Sequence, residues 1–264
     1  MKLHLAKGLT IDASNPRVVA DGLRIFLTGE SGCGKSTAAM LIVSQWVEQG
    51  GQVLVLDSHG EYGALWESRP ANVTRFGYGE PPVGLESVEM CMSFLRDGQS
   101  LVLDLSHWTD LEPDLLDAFV KELMRDLYAF RRQQPKQMLV LMEEAQTFVP
   151  QQQSKGQADN VKLFTALITG GRKFGLNFIL SSQRSSLVDS NIIAGCNVRI
   201  FMRTSEAKDW KKVLKGYIPS KLASFGGRND IAKFDSGEAV VVSRWLPTMR
   251  VRLRTPSTRV KKFL

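Results

Sequence analysis

The sequence predicts an α/β protein with a mainly parallel sheet, helices on both faces and short antiparallel strands at the ends. Three observations carry this. Apolar strand-length runs alternate with segments of helical period along the chain. A glycine-rich loop, Gly29–Thr37, joins one such strand to one such helix. Another apolar run, Met138–Met142, stops abruptly at two acids, Glu143 and Glu144. In a parallel sheet the carboxyl ends of strands line the ligand crevice, so both acids are expected beside the glycine loop.

Residues 1–22 read as one or two short strands with a turn at Asn15-Pro16. Leu23–Leu27 is an apolar strand running into the loop. From Lys35 to about Glu48, Ala38, Leu41, Ile42 and Gln45-Trp46 recur at helical spacing. Gly50-Gly51 ends that helix, and the strand Gln52–Asp57 follows. Residues 69–84, with Gly77, Gly79 and Pro81-Pro82, read as loop. Leu85–Arg96 reads as a helix closed by Asp97-Gly98, and Leu101–Leu105 as a strand. Leu111–Arg132 is a long helix with Pro113 near its start and Leu115-Leu116, Phe119-Val120, Leu123 and Leu127 on one face. After the strand Met138–Met142, Gln151–Gly156 reads as a polar, mobile link. A helix from about Asp159 to Lys173 leads into the strand Leu176–Leu180. Val198–Arg203, Glu238–Trp245 and Met249–Arg254 complete the strands, all within one domain spanning 1–264.

The chain of 264 residues is 43% hydrophobic and 23% charged, ordinary for a soluble globular protein. Its longest apolar runs are strand-length, which excludes a membrane-spanning segment, and Met1–Lys7 lacks the apolar stretch of a signal peptide. Cys33, Cys91 and Cys196 lie far apart, which argues against a disulfide framework or a zinc site and for a reducing, cytoplasmic setting. The net charge of +7 is uneven. Residues 1–198 hold 18 Lys and Arg against 22 Asp and Glu, whereas residues 199–264 hold 16 against 5. A basic C-terminal quarter fits either a nucleic-acid footprint or a solvated or inter-subunit face.

The loop Gly29-Glu30-Ser31-Gly32-Cys33-Gly34-Lys35-Ser36-Thr37 matches G-x-x-x-x-G-K-[ST], the phosphate-binding P-loop. Its glycines let successive backbone N–H groups converge on one anion, and the helix behind adds its dipole. Lys35 is placed to reach the β- and γ-phosphates of ATP, and the Ser36 hydroxyl to ligate Mg²⁺. Glu143 is assigned to the Mg²⁺ shell through water, and Glu144 to activating the attacking water. Gln183, at a strand end, suits a γ-phosphate sensor. Arg172 and Arg184 are candidates for a guanidinium supplied to a neighbouring subunit's nucleotide. Asp57, His59 and Glu61 share a strand-end loop and read more simply as crevice lining than as a second metal site.

Together these pieces resemble the HerA–FtsK superfamily of hexameric DNA-pumping ATPases, the HerA branch in particular. The resemblance rests on the P-loop, Asp57-Ser58-His59-Gly60-Glu61-Tyr62, Leu103-Asp104-Leu105-Ser106, Glu143-Glu144-Ala145-Gln146, Gly171-Arg172-Lys173-Phe174-Gly175, Ser182-Gln183-Arg184 and Asn191–Asn197. It implies a RecA-like core, a homo-hexameric ring with ATP between subunits, Arg172 or Arg184 reaching across, and DNA through the centre. The sequence departs from the family in having Gln146 where His is usual and Ser185 where Pro is common. The segment before the first core strand is too short for the family's β-barrel. In this the chain is similar to the packaging ATPases of tailless, membrane-containing viruses; the missing barrel puts in doubt a nuclease partner recruited through it, and a capsid component as partner and a virion as location stay open. Arg250, Arg252 and Arg254 alternate on one strand face, and with Arg259, Lys261 and Lys262 they suit contacts to DNA phosphates or to a neighbour.

The leading expectation is a DNA translocase driven by ATP hydrolysis. A nucleotide-dependent assembly switch that recruits a protein is the alternative, and a small-molecule kinase is disfavoured by the paired Glu143-Glu144.

Overall fold

A computed structural model describes residues 1–63, 72–77, 83–109, 113–152, 157–211, 215–217 and 228–256. Its centre is a nine-stranded sheet in the order β11-β10-β9-β3-β8-β7-β4-β6-β5. The strands are β3 (Arg24–Thr28), β4 (Gln52–Asp57), β5 (Val73–Phe76), β6 (Ser100–Asp104), β7 (Met138–Met142), β8 (Leu176–Ser182), β9 (Val198–Phe201), β10 (Glu238–Ser243) and β11 (Met249–Arg252). Neighbours from β9 through β5 run parallel, while β10 is antiparallel to both β9 and β11. The hairpin β1 (Lys2–Ala6) and β2 (Leu9–Asp12) stands apart as a two-stranded sheet.

Side chains alternate across the sheet, and the core divides accordingly. Met138, Val140 and Met142 of β7 enter one apolar cluster and Leu139 and Leu141 the other. The first face is covered by the helices Val88–Arg96, Pro113–Gln133, Gln157–Gly170 and Ser190–Gly195. The second is covered by helix α2 (Lys35–Glu48) and then by the β1–β2 hairpin, with Leu3, Leu5, Leu9 and Ile11 fully or almost fully buried against it. This explains why α2 carries apolar residues almost all round: it is sandwiched.

Three expectations need correction. Asn15-Pro16 is not a free turn. Asn15 caps a short helix, α1 (Pro16–Asp21), by accepting from Arg17 N, and Pro16 occupies a first-turn position where its missing N–H costs nothing. Residues 73–76 form the edge strand β5, where loop was expected. The helix expected to run to Lys173 ends at Gly170 and tightens into a 3₁₀ turn, Gly171–Phe174. The expected mobile link falls mostly on 153–156, outside the described residues, as do Gly79, Pro81 and Pro82.

Candidate nucleotide site

The P-loop leaves the carboxyl end of β3, as the sequence predicts. Its shape depends on glycine at specific places. A Cβ on Gly29 would lie 2.7 Å from Cys33 Sγ and 2.8 Å from Met202 Cβ, and Gly34 has φ 99°. The loop is pinned by Glu30 N donating to Arg203 O at 2.8 Å and Gly237 N donating to Cys33 O at 2.9 Å. Glu30, a variable position in the motif, is fixed too. Arg203 Nε donates to its Oε1 at 2.6 Å and Ser205 Oγ to its Oε2 at 2.8 Å. Cys33 is buried beneath the loop, and burial raises its thiol pKa. Lys35 Nζ lies 3.5 Å from Glu30 O, with the lysine 7% exposed.

β7 lies two strands from β3, with β8 between, so Glu143 and Glu144 open on the same edge of the sheet as the loop. Glu143 is 4% exposed, and its Oε2 has no hydrogen-bond partner among the described residues. Burial, a hydrogen bond with Asp57 and the charges of Asp57, Glu61 and Glu144 push its carboxyl pKa up to about 10. His59 Nδ1 stands 3.9 Å from the same Oε2. An orphaned buried carboxylate oxygen in a crowd of acids is what a divalent cation would relieve, so these residues fit Mg²⁺ shared with ATP. Ser36 and Glu143 are the groups that would hold it. Tyr62 is fully buried, and burial with the charges of Glu143, Asp57 and Glu61 raises its hydroxyl pKa. Among the described residues no cluster of three or more His, Cys, Asp or Glu is arranged as a metal centre.

Asp57 is fully buried, and it organises its own loop. Its carboxylate accepts from His59 N (3.2 Å), Glu61 N (3.1 Å) and Tyr62 N (2.8 Å). Three backbone donors and the hydrogen bond with Glu143 thus occupy it, which favours lining over a second metal site.

Glu144 is the one described non-glycine residue with positive φ, 45°. The strained backbone turns its carboxylate towards the end of β8. Gln146 Nε2 donates to its Oε2 at 2.6 Å, Gln183 N donates to the same atom at 3.2 Å, and Ser182 Oγ donates to Gln146 Oε1 at 2.6 Å. Gln183 therefore meets Glu144 through its backbone. Gln146 and Ser182 were not singled out from sequence, where Gln146 read only as a departure from a family pattern. A polar residue two positions beyond a strand-end acid is the signal that was available.

The two candidate arginines lie elsewhere. Arg172 precedes β8 at the amino end of the sheet, a strand length of about 15–20 Å from the P-loop edge. There Arg172 Nη1 donates to Ala20 O at 3.1 Å and lies 3.9 Å from Asp21. Arg184 is on the P-loop edge, but its Nε donates to buried Asp209 at 3.2 Å. Asp209 also accepts from Ser185 Oγ and Ser186 N, a structural role that sequence reading missed. Neither arginine is brought to this chain's own P-loop.

The basic strand is less free than expected. Arg250 donates to Glu238 at 3.3 Å and lies over the Phe234 ring, and Arg252 donates to Asp235 at 2.9 Å. Arg254 falls after β11, while Arg259, Lys261 and Lys262 lie outside the described residues.

A family model described as "Helicase HerA, central domain" matches residues 24–127, the span from β3 into the long helix. The DNA double-strand break repair helicase HerA of Pyrococcus furiosus is 34% identical over 107 residues, covering 40% of this chain and 18% of that protein. Its Sulfurisphaera tokodaii counterpart is 29% identical over 157 residues, 56% of this chain and 30% of that protein. Among solved structures, the genome packaging NTPase B204 from Sulfolobus turreted icosahedral virus 2, in complex with ATP-gammaS, is similar with a TM-score of 0.59. It is 16% identical, and the match covers 88% of this chain and 97% of that one. Over residues 24–127 the chain is thus similar to the central domain of HerA helicases, and its fold is that of the packaging NTPase. VirB4 of Thermoanaerobacter pseudethanolicus shares the fold at a TM-score of 0.68 and 10% identity, covering 90% and 91% of the two chains. The chain spans less than a third of the length of the two curated HerA helicases. No described helix is long and apolar enough to cross a membrane.

Proposed function

We propose that the chain is the motor core of an ATP-hydrolysing DNA translocase that works as a ring, with one nucleotide at each subunit interface. The observation that carries this is the composition of the site. P-loop, Ser36, Glu143 and Glu144 share one edge, yet the arginines described there are paired elsewhere, Arg203 with Glu30 and Arg184 with Asp209, and Arg172 lies at the opposite edge. Phosphoryl transfer needs positive charge on the transferring group, and arginines supplied in trans contribute on the order of 10³–10⁵ in rate. An interface reading supplies that charge.

In this mechanism the P-loop N–H groups hold the phosphates and Lys35 spans the β- and γ-oxygens. Bound Mg²⁺ would neutralise phosphate charge. Glu144 holds the attacking water and takes its proton, and Gln146 with Gln183 N fixes the angle of that carboxylate. The DNA part of the reading draws on the similarity to HerA helicases and on the basic excess after residue 198. The test measures ATP turnover with and without double-stranded DNA across a salt series. Stimulation by DNA, with affinity falling steeply as salt rises, supports the motor. If DNA alters neither turnover nor assembly, the motor reading is wrong.

One observation favours the assembly switch. Arg250 and Arg252 spend their charge on Glu238 and Asp235, which leaves less for phosphates. Under that reading a Glu144→Gln chain trapped with ATP forms an oligomer that captures a protein and ignores DNA.

A further inference from the structure

A cavity of about 210 Å³ adjoins the P-loop. Gly34, Thr37 and Ala38 line one side, and Arg252, Leu253, Arg254 and Thr255 line the other. The second side is a strap fixed by backbone hydrogen bonds. Leu253 N donates to Gly237 O at 2.8 Å, Gly237 N to Cys33 O at 2.9 Å, and Arg254 N to Leu5 O at 2.7 Å. The strap thus joins the P-loop to β1. Its close approach explains Gly34, where a Cβ would lie 3.3 Å from Ser236 Oγ and 3.4 Å from Gly237 N.

Sheet order says what the cavity is for. Glu143, Glu144 and Asp57 lie on the β7–β4 side of β3, so the γ-phosphate end of a bound nucleotide points that way. A nucleotide bound in that sense would place its nucleoside on the β9–β10–β11 side, where the cavity lies. The volume is below the roughly 300–1,000 Å³ of a whole-ligand pocket, which suits a ligand whose phosphates sit outside it. Ala38 and Leu253 are apolar and buried. Arg252 is already paired with Asp235, whereas Arg254 is exposed and has no acidic partner among the described residues.

We propose that this cavity seats the base and ribose of a nucleoside triphosphate, with the Arg254 guanidinium laid against the base, and that adenine and guanine are accepted alike. The proposal rests on the nucleotide-site reading above. A planar guanidinium stacks on any aromatic base. Arg252 is turned to Ser236 O and Asp235, so the other side chains able to meet the base edge are the hydroxyls of Thr37, Ser236 and Thr255, each of which can donate or accept. Strong discrimination requires fixed donors or acceptors left unpaired by the wrong base, and no Asn, Gln, Asp or Glu lines the cavity. It also gives Arg254 a nucleotide to hold in place of DNA.

The test is calorimetric binding of ATP, GTP and inorganic tripolyphosphate to the full chain and to Arg254→Ala and Arg254→Lys, with melting temperature as the check on folding. The expected result is ATP and GTP affinities within about threefold of each other. Arg254→Ala weakens both by about three- to tenfold and leaves tripolyphosphate unchanged. Arg254→Lys behaves like Arg254→Ala, because charge without a planar face does not stack. Equal loss for tripolyphosphate, full rescue by lysine, no change with either variant, or a preference for either nucleotide beyond about threefold overturns the proposal. If wild type binds none of the three, the nucleotide-site reading itself falls.

Discussion

Glu144 spends backbone strain of about 1–3 kcal/mol on its left-handed conformation, and the hydrogen bonds to its carboxylate show what the strain secures. If Glu144 is the base, Glu144→Gln lowers kcat by about 10²–10⁴ with ATP binding retained, which single-turnover hydrolysis and calorimetry together separate. Gln146→Ala removes a positioning contact only. It is expected to lower kcat by about tenfold with KM little changed, and Gln146→His, which keeps a donor, to recover part of the loss and add a pH dependence that wild type lacks. Unchanged kcat in Gln146→Ala would show that the clamp has no part in catalysis. Glu143 makes a different prediction. Its pKa is raised from 4.5 to about 10, so between these values the folded, nucleotide-free chain keeps a proton that the unfolded chain has lost. That contribution to stability is complete below about pH 4.5 and declines as pH rises towards 10. Glu143→Gln removes the titration. Its melting temperature is therefore expected to gain on wild type steadily from pH 5 to pH 9, and parallel curves would contradict the assignment.

At the scale of elements, the strength of the local signal decided what could be read. β7 and the P-loop were legible because five apolar residues and a glycine pattern allow few alternatives. β5 was not, because Val-Thr-Arg-Phe is half polar and lies at a sheet edge beside Gly77. The hairpin was only half legible. Its position on α2 depends on Gln45 and Gln49, whose amides act as a substitute strand for the edge of β1. His4 N donates to Gln45 Oε1 at 2.7 Å and Lys2 N to Gln49 Oε1 at 2.8 Å, and Gln49 Nε2 returns a bond to Lys2 O at 2.9 Å. Gln45 read as part of a helical stripe, and nothing local says that it faces backbone. Replacing both glutamines by alanine exposes an unpaired strand edge and is expected to cost about 1–3 kcal/mol in urea unfolding. A change within error would mean that water satisfies the edge equally well.

For the whole molecule, the sheet separates the candidate groups by its full thickness along the strands. The P-loop and Glu144 sit at the carboxyl edge, while Arg172 sits at the amino edge beside Gly22, whose Cβ would come within 2.5 Å of Arg172 Cβ. Sequence supplied both ends of the site but not this separation, which arises only when β3 and β8 pair in parallel. If Arg172 serves catalysis from this distance it serves a neighbour's nucleotide, so the ring reading makes a prediction that a single-chain enzyme does not. Lys35→Ala and Arg172→Ala chains are each expected to be nearly inactive alone. Mixed and reassembled, some interfaces join an intact P-loop on one chain to an intact Arg172 on the other. Random assortment places such a pair at about a quarter of interfaces, so turnover returns to a corresponding fraction of wild type if sites fire independently, and lower if they fire in sequence. Recovery with Arg184→Ala in place of Arg172→Ala, and none with Arg172→Ala, would move the trans role to Arg184. No recovery with either, in mixtures shown to co-assemble, would remove the shared site and with it the argument for a ring.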